Sequence, residues 1–137
     1  MKALYALAPL AVLVLAGCAS TTPAAPTAKG EVTGSVIYRE RIMLPPTATV
    51  TVTLADTSLM DAPAKVIDTQ VLTGGSPPYK FTLNYDPATI IANHTYTVSA
   101  RIEVDGKLRF ITDTHTPVIT NGAPHHVEMI AVGVPQN

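Results

Sequence analysis

Tryptophan is absent from the 137-residue chain, aromatic residues make up 5% of it, and charged residues only 14%. Nine Lys and Arg stand against ten Asp and Glu, a formal charge of −1. A protein that neutralises several phosphates needs a surplus of clustered cations, so no nucleic-acid partner is expected. The single cysteine, Cys18, leaves no intramolecular disulfide, and whatever folds must be held by its core alone. Strong surface helix formers are scarce. Thr, Val, Pro and Ala are prominent instead, a mixture that favours strands, and the length suits one domain.

Behind Lys2, residues 3–16 form an apolar run broken only by Tyr5 and Pro9. This reads as a signal-peptide hydrophobic region, too short for the about 20 residues a spanning helix requires. The run ends in Leu15-Ala16-Gly17-Cys18, which resembles the lipobox of bacterial lipoproteins: a branched residue, two small residues, then cysteine. A thiol suits the position because sulfur is the nucleophile that takes diacylglycerol as a thioether, and small residues let an extended backbone enter a peptidase. The resemblance makes residues 1–17 a signal peptide. Cys18 becomes a lipidated N-terminus carrying diacylglycerol and an N-acyl chain, with no other cofactor expected. Two or three acyl chains hold a protein to a bilayer nearly permanently. Ala19 stands where an Asp would favour the inner membrane, so the expected place is the outer membrane of the bacterial envelope, facing the periplasm. Residues 18–30 then read as the lipidated cysteine and a small, polar tether with Pro23 and Pro26, able to reach about 40 Å when extended.

Residues 31–137 are dominated by alternation of period two. Val50, Val52 and Leu54 alternate with threonines; Tyr79, Phe81, Leu83 and Tyr85 alternate with polar residues; so do Tyr96, Val98, Ala100, Ile102 and Val104. Asp105-Gly106 before a further alternating run predicts a hairpin with a type I′ turn, which needs positive φ at both central residues. Residues 32–42, 66–73 and 126–132 bring the set to about seven strands. Gly and Pro clusters fall between the runs, and Asp86-Pro87 suits the start of a single helical turn. An all-β domain is expected, an antiparallel β-sandwich of immunoglobulin-like or transthyretin-like type, with a small barrel as the alternative.

Chemistry is sparsely signalled. Adjacent His125 and His126 would point to opposite faces of a strand and no second cysteine completes a zinc set, so no metal site is expected among His94, His115, His125 and His126. Asp56 and Asp61 lack the oxygen density of a calcium loop and read as turn formers. No nucleophile elbow occurs, no catalytic residues are assigned, and the chain is read as not an enzyme. A hydrolase would need His115 or His94 beside an acid such as Asp113 and a nucleophile. Tyr38-Arg39-Glu40-Arg41, a tyrosine followed by alternating charges, is the candidate partner-binding segment, read as the end of a strand edge.

Several stretches together resemble the YbaY/YscW family of lipoproteins. They are the lipobox at Cys18, Gly34-Ser35-Val36-Ile37-Tyr38-Arg39-Glu40-Arg41-Ile42 with Leu44-Pro45-Pro46, Leu54-Ala55-Asp56-Thr57-Ser58, Asp61-Ala62-Pro63-Ala64, Phe81-Thr82-Leu83-Asn84-Tyr85-Asp86-Pro87, Tyr96-Thr97-Val98-Ser99-Ala100-Arg101-Ile102 and Asp105-Gly106-Lys107-Leu108. The resemblance, closer to the YbaY-like branch, implies an envelope lipoprotein with a β-sandwich domain and no catalytic residues. Its type III secretion members are chaperones, or pilotins, for a secretin. The expected function is therefore a non-enzymatic, outer-membrane-anchored lipoprotein binding another envelope component, an envelope protein above all, one version being a pilotin-like chaperone for an outer-membrane or secretion protein. The alternative is a module for polysaccharide or another envelope glycan, which would need exposed aromatic rings to stack on sugars.

Overall fold

The computed structural model describes residues 29–137. The signal peptide, Cys18 and its lipobox, and nearly all of the tether lie outside the described residues. Eight strands are formed: β1 (Gly30–Tyr38), β2 (Thr49–Asp56), β3 (Lys65–Thr73), β4 (Tyr79–Tyr85), β5 (Tyr96–Val104), β6 (Lys107–Thr112), β7 (Thr116–Val118) and β8 (His126–Gly133). The threonine and valine alternation does what period two requires, since Val50, Val52 and Leu54 are all fully buried. Tyr79, Phe81, Leu83 and Tyr85 from β4, and Tyr96, Val98, Ala100 and Ile102 from β5, bury the same face and fill one continuous core. Asp105 and Gly106 adopt φ of 51° and 76°, and the β5–β6 hairpin closes between Val104 and Lys107. Asp86 caps a short 3-10 turn, Pro87–Thr89, by accepting a hydrogen bond from the Ala88 amide, with Pro87 supplying the preset φ.

The architecture departs from a purely antiparallel sandwich. All strands belong to one mixed sheet, in the order β3-β2-β5-β6-β8-β1-β4, with β7 paired to β5. β1 runs antiparallel to β4 but parallel to β8, from Thr33 beside His126 to Tyr38 beside Ala131. The close approach of β1 and β8 explains Gly34, where a Cβ would run into the Val127 carbonyl oxygen and the Phe81 ring. β7 has only three residues, with Pro117 at its centre, so proline punctuation hides it from a pattern search.

The sheet curls until its first and last strands, β3 and β4, face each other, and the result is a nearly closed barrel. No backbone ladder joins them. On β3, Leu72, Gln70 and Asp68 lie opposite the buried Val50, Val52 and Leu54 and therefore share their inward face. Gln70 and Asp68 use that position to complete the barrel: the Thr82 amide donates to Gln70 Oε1 and the Asn84 amide to Asp68 Oδ2, both at 2.7 Å. Two side-chain bonds thus stand in for a strand pairing.

Candidate functional site

Past Asp68 and Asn84 the β3–β4 seam opens into a groove of about 630 Å³. Its walls are Lys65, Val66 and Ile67 at the start of β3, and Asn84 and Tyr85 at the end of β4. Asp86, Pro87, Thr89 and Ile91 follow β4, and Tyr96 and Asp56 form the floor. Lys29, immediately before β1, sits on the rim. The strand directions place this groove at the end of the barrel where β1 begins, with the β2–β3 turn beside it. Val66 and Ile91 are 57% and 49% exposed there, and Leu59 and Met60 of the neighbouring turn are exposed as well. A cluster of exposed apolar side chains around a concavity is the usual mark of a contact surface.

The groove is rigidly framed. Asp56 closes β2 with its Oδ2 on His94 Nδ1 at 2.6 Å, and its Oδ1 accepts from the Ser58 amide at 3.0 Å, the turn its sequence suggests. Burial alone would raise the Asp56 carboxyl, but the bonds from His94 and Ser58 outweigh it and hold the group at about 2, below its ordinary 3.8. Ser58 Oγ accepts from the Thr95 amide at 2.6 Å, and the Ile91 amide donates to Tyr96 Oη at 2.9 Å. Behind them Ile119 adopts φ of 72° in a tight turn closed by the Thr120 amide on the Val118 carbonyl at 2.8 Å. A β-branched residue in that region is strained. The turn places the buried Thr120 so that its hydroxyl donates to the His94 carbonyl at 2.6 Å.

The residues singled out from sequence separate widely. Tyr38 ends β1, stacks on Phe110 with ring centroids 4.8 Å apart, and donates its hydroxyl to the Ile42 carbonyl. Arg39, Glu40 and Arg41 lie beyond the strand rather than in it, exposed at the opposite end of the barrel from the groove. The Glu40 carboxylate rests over Gly133. The core takes the other ring-bearing strand residues, Tyr79, Phe81, Tyr85 and Tyr96, so they offer no platform for sugars. His126 Nδ1 meets Thr33 Oγ1 at 3.0 Å, whereas His125 Nδ1 lies 3.4 Å from Tyr85 Oη, each histidine on its own face. Among the described residues no three His, Cys, Asp or Glu side chains converge as metal ligands would. Asp113 and His115 share a hollow of about 240 Å³ with Ser99. Asp113 instead accepts from the Thr114 hydroxyl. The groove was missed because its walls come from β3, β4 and the segment between β4 and β5, whose adjacency no local pattern encodes.

Residues 27–130 match the family of type III secretion system lipoprotein chaperones, YscW. The chain belongs to this family. It is 45% identical over 93 residues to the uncharacterised lipoprotein YbaY of Escherichia coli K12, a match covering 66% of the chain and 49% of YbaY. The chain thus spans about half the length of that curated relative. It is also similar to a solved structure, an alternative pilotin from the type II secretion system of Vibrio cholerae. The two are 56% identical, with a TM-score of 0.76 over 80% of this chain and 100% of the pilotin. The matched part of this YscW-family chain contains β1 to β7, β8 as far as Ile130, and the whole lining of the groove.

Proposed function

We propose that this YscW-family protein is a non-enzymatic lipoprotein, anchored in the outer membrane through acylated Cys18, that acts as a pilotin-like chaperone for a secretin or a related envelope protein. The likeness to an alternative pilotin over that protein's entire length carries the reading. The geometry supports it in two ways. Lys29 is separated from Cys18 by ten residues, so a lipid on that sulfur would keep the groove within about 40 Å of the bilayer. The groove also offers a client apolar surface on a frame that binding need not reorganise, which lowers the entropic cost of association. The charges of Arg39, Glu40 and Arg41, beyond Tyr38, present a second possible contact without a cavity.

Crosslinking in intact cells followed by purification of the acylated protein tests the reading. The expected product contains the secretin, and a Cys18→Ser form loses most of it. Absence of any envelope protein above background with the wild-type chain refutes the role.

A further inference from the structure

The tether joins the barrel at the groove itself. At Gly30, the first residue of β1, a Cβ would run into the Tyr85 ring, so the chain leaves the strand pressed against one groove wall, and Lys29 already lines the rim. The ten residues before it, Ala19 to Ala28, carry no charge and include Pro23-Ala24-Ala25-Pro26. Prolines three residues apart favour a polyproline II helix, whose three-residue turn puts both rings on one side and leaves the backbone carbonyls without internal partners. Pro26 stands three residues from Lys29, about 10 Å of extended chain, and Pro23 to Pro26 spans about 9 Å more. The segment therefore reaches the groove from its own point of attachment.

The groove suits such a segment. Its volume of about 630 Å³ lies within the range of sites that enclose a short ligand. Tyr85 and Pro87 line it together with Val66 and Ile91, whose exposed surface proline rings would cover. On the floor, the hydroxyl of the buried Tyr96 accepts from the Ile91 amide and donates to no described residue, so its proton is available to a carbonyl. Aromatic-lined grooves are a recurrent receptor for polyproline II segments. Asp56, Asp68 and Asp86 lie around the seam and groove with Lys29 and Lys65, and this mixture favours no charged occupant. An uncharged one is indifferent to it. The segment lies in the groove past Asp68 and Asn84, where the seam has already opened, and nothing has to enter between β3 and β4.

We propose that Pro23-Ala24-Ala25-Pro26 folds back into the groove as a polyproline II turn, its rings against Val66, Ile91 and Tyr85 and a carbonyl on the Tyr96 hydroxyl, so that the protein covers this surface with its own tether. Attachment makes even a weak contact effective. A short tether holds its ligand at about 1 mM, so a contact with a Kd of about 0.1 mM between separate molecules is about nine-tenths filled. A client reaching Val66 and Ile91 has first to displace the segment. While seated, it also shortens the leash to Cys18 from about 40 Å to about 17 Å.

The test uses the isotope-labelled chain, purified from membranes, in nanodiscs of phosphatidylethanolamine and phosphatidylglycerol. Nuclear Overhauser contacts are expected between Pro23 or Pro26 and the Val66 and Ile91 methyl groups. A Pro23→Ser, Pro26→Ser form is expected to lose them and to move those methyl signals, leaving the core signals of Val52 and Leu83 in place. A fluorescent peptide of residues 20–28 is expected to bind that form about tenfold more tightly than the wild-type chain, whose groove is filled. Adding Val66→Asp, at an exposed position, to the double variant is expected to abolish peptide binding. The inference is overturned if the contacts are absent, if the peptide binds both forms equally or neither, or if Val66→Asp changes nothing. It is equally overturned if the wild-type Val66 and Ile91 signals differ between discs with one chain and discs with several, which would give the groove to a second copy. Broadening of those signals by a lipid spin-labelled at the end of its acyl chain would overturn it too, by giving the groove to the bilayer. Every reading is made without a client. Capture of the intact secretin by a chain with no docked tether therefore removes this inference and leaves the chaperone reading standing, whereas a docked tether in a chain that captures no secretin removes the chaperone reading alone.

Discussion

Asp56 shows how much one side chain does at the groove end of the barrel. It ends β2, fixes the following turn through the Ser58 amide, and holds His94 and hence the segment leading into β5. Because its carboxyl is depressed from 3.8 to about 2 in the folded protein, the stability it contributes is present above pH 4 and is lost as the pH falls from about 4 towards 2. With 15% of the side chain exposed, that contribution is about 1–2 kcal/mol. Urea unfolding at a series of pH values is the check. The wild-type midpoint should fall across this window, and Asp56→Asn should start lower at neutral pH and fall less. Parallel curves for the two proteins would show that the pair contributes nothing. At the same scale, the Tyr79 hydroxyl is buried without a side-chain or backbone partner among the described residues. Tyr79→Phe removes a desolvated polar atom without leaving a cavity, so it should be neutral or stabilising in the same assay, by up to about 1 kcal/mol.

Among the elements, the β3–β4 seam differs from every other junction in the sheet. Ladders hold the remaining neighbours, whereas here two side chains do the work. Replacing Asp68 and Gln70 together by Ala should destabilise the domain by about 1–3 kcal/mol and speed hydrogen exchange at Asn84 and Thr82, leaving the amides of β5 protected. Unchanged exchange at Asn84 would mean that water serves the edge equally well. The seam also marks where sequence ceases to be informative. Alternation revealed the inward faces of β2, β4 and β5, and Asp105-Gly106 revealed the hairpin, because each is a local property. The parallel pairing of the first strand with the last is set by neighbours in space and leaves no periodic trace. Polar Gln70 and Asp68 on an inward face of β3 were the one available hint of an unusual edge. They become intelligible only once β4 is known to lie across from them. The same limit put Arg39, Glu40 and Arg41 in a strand that in fact ends at Tyr38.

For the whole molecule, the barrel presents two unlike ends. One has the groove, the strained Ile119 turn, Lys29 and the chain leading back to Cys18; the other has the Arg39, Glu40 and Arg41 charges and the tip of the β5–β6 hairpin. On the proposed reading, an acyl anchor at Cys18 would hold the groove end near the bilayer, where the proposed client would be received. On this account the barrel recognises and the lipid delivers, and neither suffices alone. Assembly of the secretin tests that claim most directly, measured as the amount of multimer in outer-membrane fractions of a strain lacking this protein. The account predicts that multimers fall in the deletion strain, return with the wild-type chain, and fail to return with Cys18→Ser. Full multimer levels in the deletion strain, or equal rescue by the unacylated form, would contradict it.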